Sequence, residues 1–426
     1  MNILRGLIGV SVLLGICYLL STNRKAVNWR LVLTGLALQL VLATVVIKVP
    51  FVQGVFKSLV DVFLLIISAA QESAAFLFGD LAIPDGPFGF VFSVLPIIVF
   101  FSAITSMFYY LGLLQKVVYV FAWVMNRTMK LSGAESLAAA ANIFIGQTEA
   151  PLVIKPYLEK MSRSEILTLM CGGMATIAGS VFGAYVGLLG GASETAKQEF
   201  GMHLLVASII AAPAAIILSK ILLPEETNKA LNTDLNIPKA EVGNNFLDAL
   251  ARGTTDGVKL AVNVGAMLLA FMALIYLSNN LLGLLGDIFG INDDIARGTG
   301  GKFDGLSLQL FMGYIFAPLA WIIGIASDEV LLVGQLLGEK TILNEFVAFT
   351  TLGDMKANAI LSQRSSILAA YALCGFANFA SIGIQIGGIS ALAPGQRKTL
   401  TELGFRALVG GTAATMLTAS LAGMLI

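Results

Sequence analysis

Charge is scarce in this chain. Lysine, arginine, aspartate and glutamate make up 12% of 426 residues, and the formal net charge is zero. A soluble domain carries about twice that share of charge. So little charge, so evenly balanced, leaves no basic surface for nucleic acid, which is excluded as a partner. Histidine occurs once, at His203, and the three cysteines, Cys17, Cys171 and Cys374, stand far apart in apolar segments. One imidazole and scattered thiols make neither a metal-ligand spacing nor a His/Ser/Asp constellation, so the chain does not read as an enzyme. The cysteines are expected to pack as small hydrophobes and His203 to pack at a helix end. The charged rings and repeated carbonyl filters of a channel are missing as well.

What the chain has in excess is apolar surface. Hydrophobic residues reach 57% and mean hydropathy is +0.87, which makes the fold class an all-α polytopic membrane protein. About 20 apolar residues span a bilayer. Eight segments meet or approach that length: 3–20, 31–47, 88–114, 166–189, 202–223, 258–285, 367–392 and 403–426. Arg24 and Lys25 follow the first apolar run with no small-x-small cleavage site, so it reads as an uncleaved helix with a periplasmic N-terminus. Lysines and arginines at 24, 25, 30, 127, 130, 155, 160, 163, 397 and 398 then fall on the cytoplasmic side. Eight crossings leave the C-terminus periplasmic too. Residues 47–81, interrupted by Lys57, Asp61, Gln71 and Glu72, read as amphipathic helices lying in an interface. Residues 224–256 read as a cytoplasmic connection, with too few apolar side chains to build a core.

Two carboxylates interrupt the apolar pattern. Glu149 lies in Asn142-Ile-Phe-Ile-Gly-Gln-Thr-Glu-Ala-Pro151, and Glu345 lies in Asn344-Glu345-Phe346. Ionisable residues within membrane segments are costly to place and mark functional sites by default. Residues 135–145 and 151–161 are each too short to cross, and they flank the polar 146–150. Residues 330–343 and 346–352 similarly flank Asn344 and Glu345. Both units read as re-entrant hairpins whose tips stop midway, which is tolerated only under cover of protein or a water-filled cavity. Gly179-Ser180 and residues 375–381 read as breaks in two otherwise apolar helices, with half-helix ends facing the hairpin tips. Taken singly, Thr176, Ser180 and Ser381 would be ordinary helix-packing residues.

The hairpins and breaks recur in order, as a repeat. Phe121-Ala-Trp with Glu135 resembles Phe316-Ala-Pro with Glu329, and Met174-Ala-Thr-Ile-Ala-Gly179 aligns with Phe376-Ala-Asn-Phe-Ala-Ser381. Three crossings separate the copies, so they are expected to be inverted, a common plan for secondary transporters.

Three segments carry a more specific likeness. Gly146-Gln-Thr-Glu-Ala-Pro151, Gly338-Glu-Lys-Thr-Ile-Leu-Asn-Glu-Phe-Val-Ala-Phe349 and Gly375-Phe-Ala-Asn-Phe-Ala-Ser-Ile-Gly383 resemble the signature segments of the concentrative nucleoside transporters, in the right order, from about residue 88 to the C-terminus. The resemblance implies a bacterial inner-membrane, ion-coupled nucleoside symporter and a homotrimer of elevator-type protomers, each with eight helices and two hairpins. It implies scaffold helices over 1–114 and a first transport repeat over 115–223. A connection and scaffold helix follow over 224–305, a second repeat over 306–398 and a last helix over 399–426. By motif, Gln147, Thr148 and Glu149 face the nucleobase, whose edge offers both donors and acceptors. Glu345, Asn378 and Ser381 match ribose-binding positions, where a carboxylate makes charge-assisted bonds. Val181 and Phe376 match positions lining the base pocket. No cofactor is implied beyond a coupling ion. For sodium the matching ligands are Asn142 by its side chain and Ile145, Thr176 and Ile177 by carbonyls, with the Thr176 hydroxyl a further candidate. A uridine-like pyrimidine nucleoside is the expected substrate, with adenosine open. Proton coupling through Glu149 or Glu345, and carriage of another polar solute, are the alternatives.

Overall fold

The structure is a computed structural model that describes residues 2–83, 88–225, 235 and 244–426. Those residues form helices and no strands. The chain begins with α1 (Asn2–Leu19), α2 (Trp29–Lys48) and α3 (Pro50–Phe78). Asn28 starts α2 by accepting from Leu31 N at 3.2 Å, and Pro50 opens α3 at a position where its missing N–H costs nothing. The segment 47–81, expected as amphipathic helices lying in an interface, is thus mostly one helix of 29 residues, Pro50–Phe78. Polar side chains at Lys57, Asp61, Gln71 and Glu72 lower local hydropathy but do not break backbone hydrogen bonds. The helix stops only at Gly79, with φ 59°. By length and composition it could also cross a membrane, one of seven such helices among the described residues.

After α4 (Leu95–Tyr110) and α5 (Leu113–Met129) comes the first hairpin: α6 (Gly133–Asn142), a tip at 143–149, α7 (Ala150–Val153) and α8 (Lys155–Leu158). A capping box joins Ser132 and Glu135 at the start of α6. The helix then expected to be broken is broken: α9 (Arg163–Ala175) and α10 (Gly179–Gly190) are separated by Thr176, Ile177 and Ala178. The gap precedes Gly179-Ser180, because Gly179 begins the second half-helix. Next, α11 (Glu194–Leu222) is buried along its apolar length. His203 sits within it, its Nδ1 3.1 Å from Tyr371 OH.

The second half repeats this order after α12 (Phe246–Ile288) and α13 (Asn292–Gly298). Because α12 starts at Phe246, the stretch expected to be connection up to 256 is helical for its last eleven residues. Ala249 takes a hydrogen bond from Ser106 of α4. Then α14 (Leu308–Ile322) leads into hairpin 2, formed by α15 (Val330–Ile342) and α16 (Glu345–Ala357) around a two-residue tip, Leu343 and Asn344. The second broken helix is α17 (Gln363–Leu373) and α18 (Phe379–Leu392), and α19 (Arg397–Leu425) ends the chain.

The two breaks meet. Gly375, with φ 157°, lies so close to the end of α9 that a Cβ there would stand 2.7 Å from Met174 O and from Thr415 Cγ2. Beside them α19 packs through Gly410 on Cys171 and Gly411 on Met174 and Ala377. These small residues of α19 are therefore packed against the chain's own broken helices.

Candidate substrate and ion site

Hairpin 2 contributes Glu345, and its place follows from a cap. Asn344 accepts from Val347 N at 2.9 Å and starts α16, so Glu345 sits in the first turn, where the helix dipole favours a negative charge. Glu345 is 7% exposed. Its Oε2 accepts from Asn378 Nδ2 at 2.9 Å and its Oε1 from Tyr185 OH at 3.1 Å. Asn378 is itself the cap of α18, its Oδ1 accepting from Ser381 N at 2.8 Å. One asparagine thus ends the break in the second broken helix and ties it to hairpin 2.

Hairpin 1 reaches the same helix from the other side. Gln147 Nε2 donates to Ser381 Oγ at 3.0 Å. Gln147 Oε1 accepts from Gln385 Nε2, also at 3.0 Å, and that nitrogen reaches Met170 O of α9 at 3.0 Å. The amides fit because α9 has glycine at 173, where a Cβ would lie 2.7 Å from Gln385 Nε2. Thr148 packs on Gly388. Ser381, Gln385 and Gly388 stand at i, i+4 and i+7, one face of α18, and hairpin 1 lies along that face.

Of the expected substrate residues, Gln147, Glu345, Asn378 and Ser381 are thus joined directly. Val181 is buried one turn before Tyr185 on α10, and Phe376 is half-buried in the break. Glu149 is exposed and turns its carboxylate back over Gly146. Lys340, five residues before Glu345, does not pair with it: its Nζ donates to Ala372 O and Thr415 Oγ1. Two members were not foreseen. Tyr185 stacks on Phe349 with ring centroids 4.2 Å apart while holding Glu345, and Gln385 bridges the repeats.

The expected ion ligands lie where the tip of hairpin 1 meets the first break. Gly179 N donates to Phe144 O at 3.1 Å, and Ser208 Oγ of α11 donates to Ile143 O at 3.0 Å. Asn142 is 1% exposed, and neither atom of its amide has a hydrogen-bond partner among the described residues. Among the same residues, no backbone N–H reaches the carbonyls of Ile145, Thr176 or Ile177. The Thr176 hydroxyl spends its hydrogen on Gly172 O at 2.9 Å, leaving its oxygen lone pairs. Buried polar atoms are almost always paired, so a cluster of neutral oxygens left over has the chemistry of a site for a small hard cation.

Sequence comparison adds the lineage. Residues 203–423 match the family profile described as the Na+ dependent nucleoside transporter C-terminus, residues 8–81 its N-terminus, and residues 91–192 a region described as nucleoside recognition. The chain belongs to the Na+-dependent nucleoside transporter family. It is a carrier and not an enzyme. An uncharacterized transporter, YutK, of Bacillus subtilis is 39% identical over the full length of both chains. The sodium/nucleoside cotransporter 1 of Rattus norvegicus is also 39% identical over 98% of this chain, which spans 63% of that longer protein. CNTnw in an inward-facing substrate-bound state matches with a TM-score of 0.88 at 36% identity, covering 100% of this chain and 98% of that one. A doubly substituted CNTnw in an outward-facing state matches equally well, with a TM-score of 0.88 and the same coverage. The fold of this transporter is therefore compatible with both faces of an alternating-access cycle, and sodium is its coupling ion.

Proposed function

We propose that this transporter imports nucleosides with sodium through the cluster between the two hairpins and α18. Glu345, Asn378 and Ser381 read the ribose hydroxyls, and Gln147, Thr148 and Glu149 read the base, with Val181 and Phe376 lining the base pocket. Sodium is held by Asn142, Ile145, Thr176 and Ile177. One observation carries the reading: the Gln147–Ser381 bond joins hairpin 1 of one repeat to the broken helix of the other, beside the unpartnered Asn142. Ion binding at Asn142 orders the tip that presents Gln147, so sodium and nucleoside affinities are linked. The preferred substrate is a uridine-like pyrimidine nucleoside.

The elevator motion divides the chain as its sequence suggests: scaffold over 1–114 and 224–305, transport repeats over 115–223 and 306–398, and a last helix over 399–426. Burial supports this, since α9 to α11 are enclosed while α2, α3 and α12 are largely exposed. Assembly is as a homotrimer in a bacterial inner membrane with both termini periplasmic. Charge supports that orientation only if α3 does not cross. With α3 in the outer interface, the basic residues at 127, 130, 155, 160 and 163 lie inside, whereas a crossing α3 would place them all outside.

Nucleoside binding to the purified transporter across a sodium titration at fixed pH tests the core of the proposal. Affinity should rise with sodium, and Asn142→Ala should need about tenfold more sodium to reach it, the loss of one ligand. Affinity that ignores sodium, unchanged by Asn142→Ala, would replace the ion reading with proton coupling.

A further inference from the structure

Hairpin 2 holds a charge that the site above does not use. Lys340 lies in the last turn of α15, is 1% exposed, and donates from Nζ to Ala372 O at 2.8 Å and to Thr415 Oγ1 at 2.9 Å. No ion pair among the described residues includes it. The two other buried lysines of the transport repeats are both paired with carboxylates, Lys220 with Glu135 Oε1 at 2.5 Å and Lys197 with Glu194 Oε1 at 2.7 Å. A buried ammonium without a carboxylate in contact is costly, so this arrangement calls for a reason. Its partners are neutral oxygens. Ala372 O is at the C-terminal end of a half-helix, where the dipole is negative. The Thr415 hydroxyl spends its hydrogen on Thr412 O at 3.0 Å and turns a lone pair to the lysine. A hydroxyl and a free carbonyl at a broken-helix end are the donors that hold sodium in transporters of this plan.

The repeat gives the position its meaning. In the first half, the junction is built by the last turn of the entering hairpin helix (Asn142), the break just past the first half-helix (Thr176, Ile177) and a hydroxyl from the following long helix, Ser208 on α11. In the second half the matching hairpin helix and long helix supply Lys340 and Thr415 of α19, and the last turn of the half-helix, just before its break, supplies Ala372. We propose that the Lys340 ammonium is a tethered cation, filling in the second repeat the place that sodium fills in the first. The transporter then has one exchangeable cation site, and hairpin 2 is held permanently in its cation-bound form while hairpin 1 answers to sodium. The inference rests on the sodium reading at Asn142.

The test is to vacate the place with a small polar side chain. In proteoliposomes, uridine uptake and the ratio of sodium to uridine fluxes are measured for the unaltered transporter, Lys340→Ser and Lys340→Met, with Asn142→Ala alongside. The unaltered protein should show a Hill coefficient for sodium of about 1 and a flux ratio of about 1. Lys340→Ser leaves a hydroxyl and room, so it should transport only at raised sodium, with both values moving toward about 2. Lys340→Met brings neither charge nor oxygen and should stay impaired at every sodium concentration. Thermal melting in sodium against choline gives a readout independent of uptake: sodium should stabilise Lys340→Ser more than the unaltered protein. A serine variant with unaltered sodium dependence and ratio overturns the proposal. So does a serine variant as impaired as the methionine one, or one that sodium does not help to fold. If instead Asn142→Ala leaves sodium dependence untouched, the fault lies with the first site and not with Lys340.

Discussion

Glu345 is gripped from two directions, and each grip has a measurable weight. A hydrogen bond to a charged group contributes about 1.5–3 kcal/mol, one to two decades of affinity. Glu345→Gln keeps the shape but removes the charge and sets an amide N–H against Asn378 Nδ2 or Tyr185 OH, both of which now donate. We expect uridine uptake to fall about 10- to 100-fold without loss of folded protein, as read by initial rates and by size-exclusion elution. Normal uptake by that variant would take Glu345 out of the site. Tyr185→Phe leaves the carboxylate one oxygen to spare and should cost less, with the difference showing in KM. At this scale the sequence was readable where a motif named the residue, as for Gln147, Glu345, Asn378 and Ser381. Gln385 escaped because its significance is a register. It lies one turn beyond Ser381 on α18, and a break placed a few residues out of step hides that shared face. Tyr185 escaped because nothing in an apolar helix distinguishes a tyrosine that meets a carboxylate 160 positions away from one that merely packs.

Half-helices exist here because caps and a glycine let the chain stop midway, while the carbonyls left over at Ile145, Thr176 and Ile177 face the proposed ion site. Asn378 caps α18 and Gly375 admits the end of α9. Gly375→Ala puts a methyl group 2.7 Å from Met174 O at a backbone angle that favours glycine. It should lower the melting temperature and weaken nucleoside binding together, since the same crossing holds both breaks; a variant with unchanged melting would mean that the breaks do not bear on one another. The hairpins and breaks were legible in sequence to within a few residues, because polar tips and small residues interrupt long apolar runs. Helix α3 was not, because hydropathy falls at Lys57 and Asp61 while the helix continues. Its placement can be settled by labelling. Single cysteines at Gly54 and Ser73, on exposed faces or open space, should react from the same outer side if α3 lies in the interface and from opposite sides if it crosses. The native thiols at 17, 171 and 374 are buried and add little background.

At the scale of the whole molecule, a trimer would need a surface that another copy can cover. The small residues of α19 are committed inside the protomer, so they are free for no neighbour. On α12 a different pattern stands exposed: Val262, Ala266, Leu269, Ala273 and Tyr276, spaced 4, 3, 4 and 3, with Leu269 77% and Tyr276 73% exposed. Lipid asks only for apolar side chains, in any order. A regular alternation of large and small residues at coiled-coil spacing is what a packed helix asks for, with each large side chain entering the hole beside a small one. Sequence alone could not single out this stripe, since apolar side chains lie all round the middle of α12, and the packing of α4, α14 and hairpin 2 on it shows which side remains. Three copies related about an axis parallel to α12 would bury it three times over. We therefore expect native mass measurement in mild detergent to give a trimer, and Ala273→Trp, which fills a hole, to shift it to monomer with the fold intact. A trimer indifferent to Ala273→Trp would move the interface elsewhere on the scaffold. A stable monomer that transports at the full rate would remove the trimer altogether and leave the stripe to lipid.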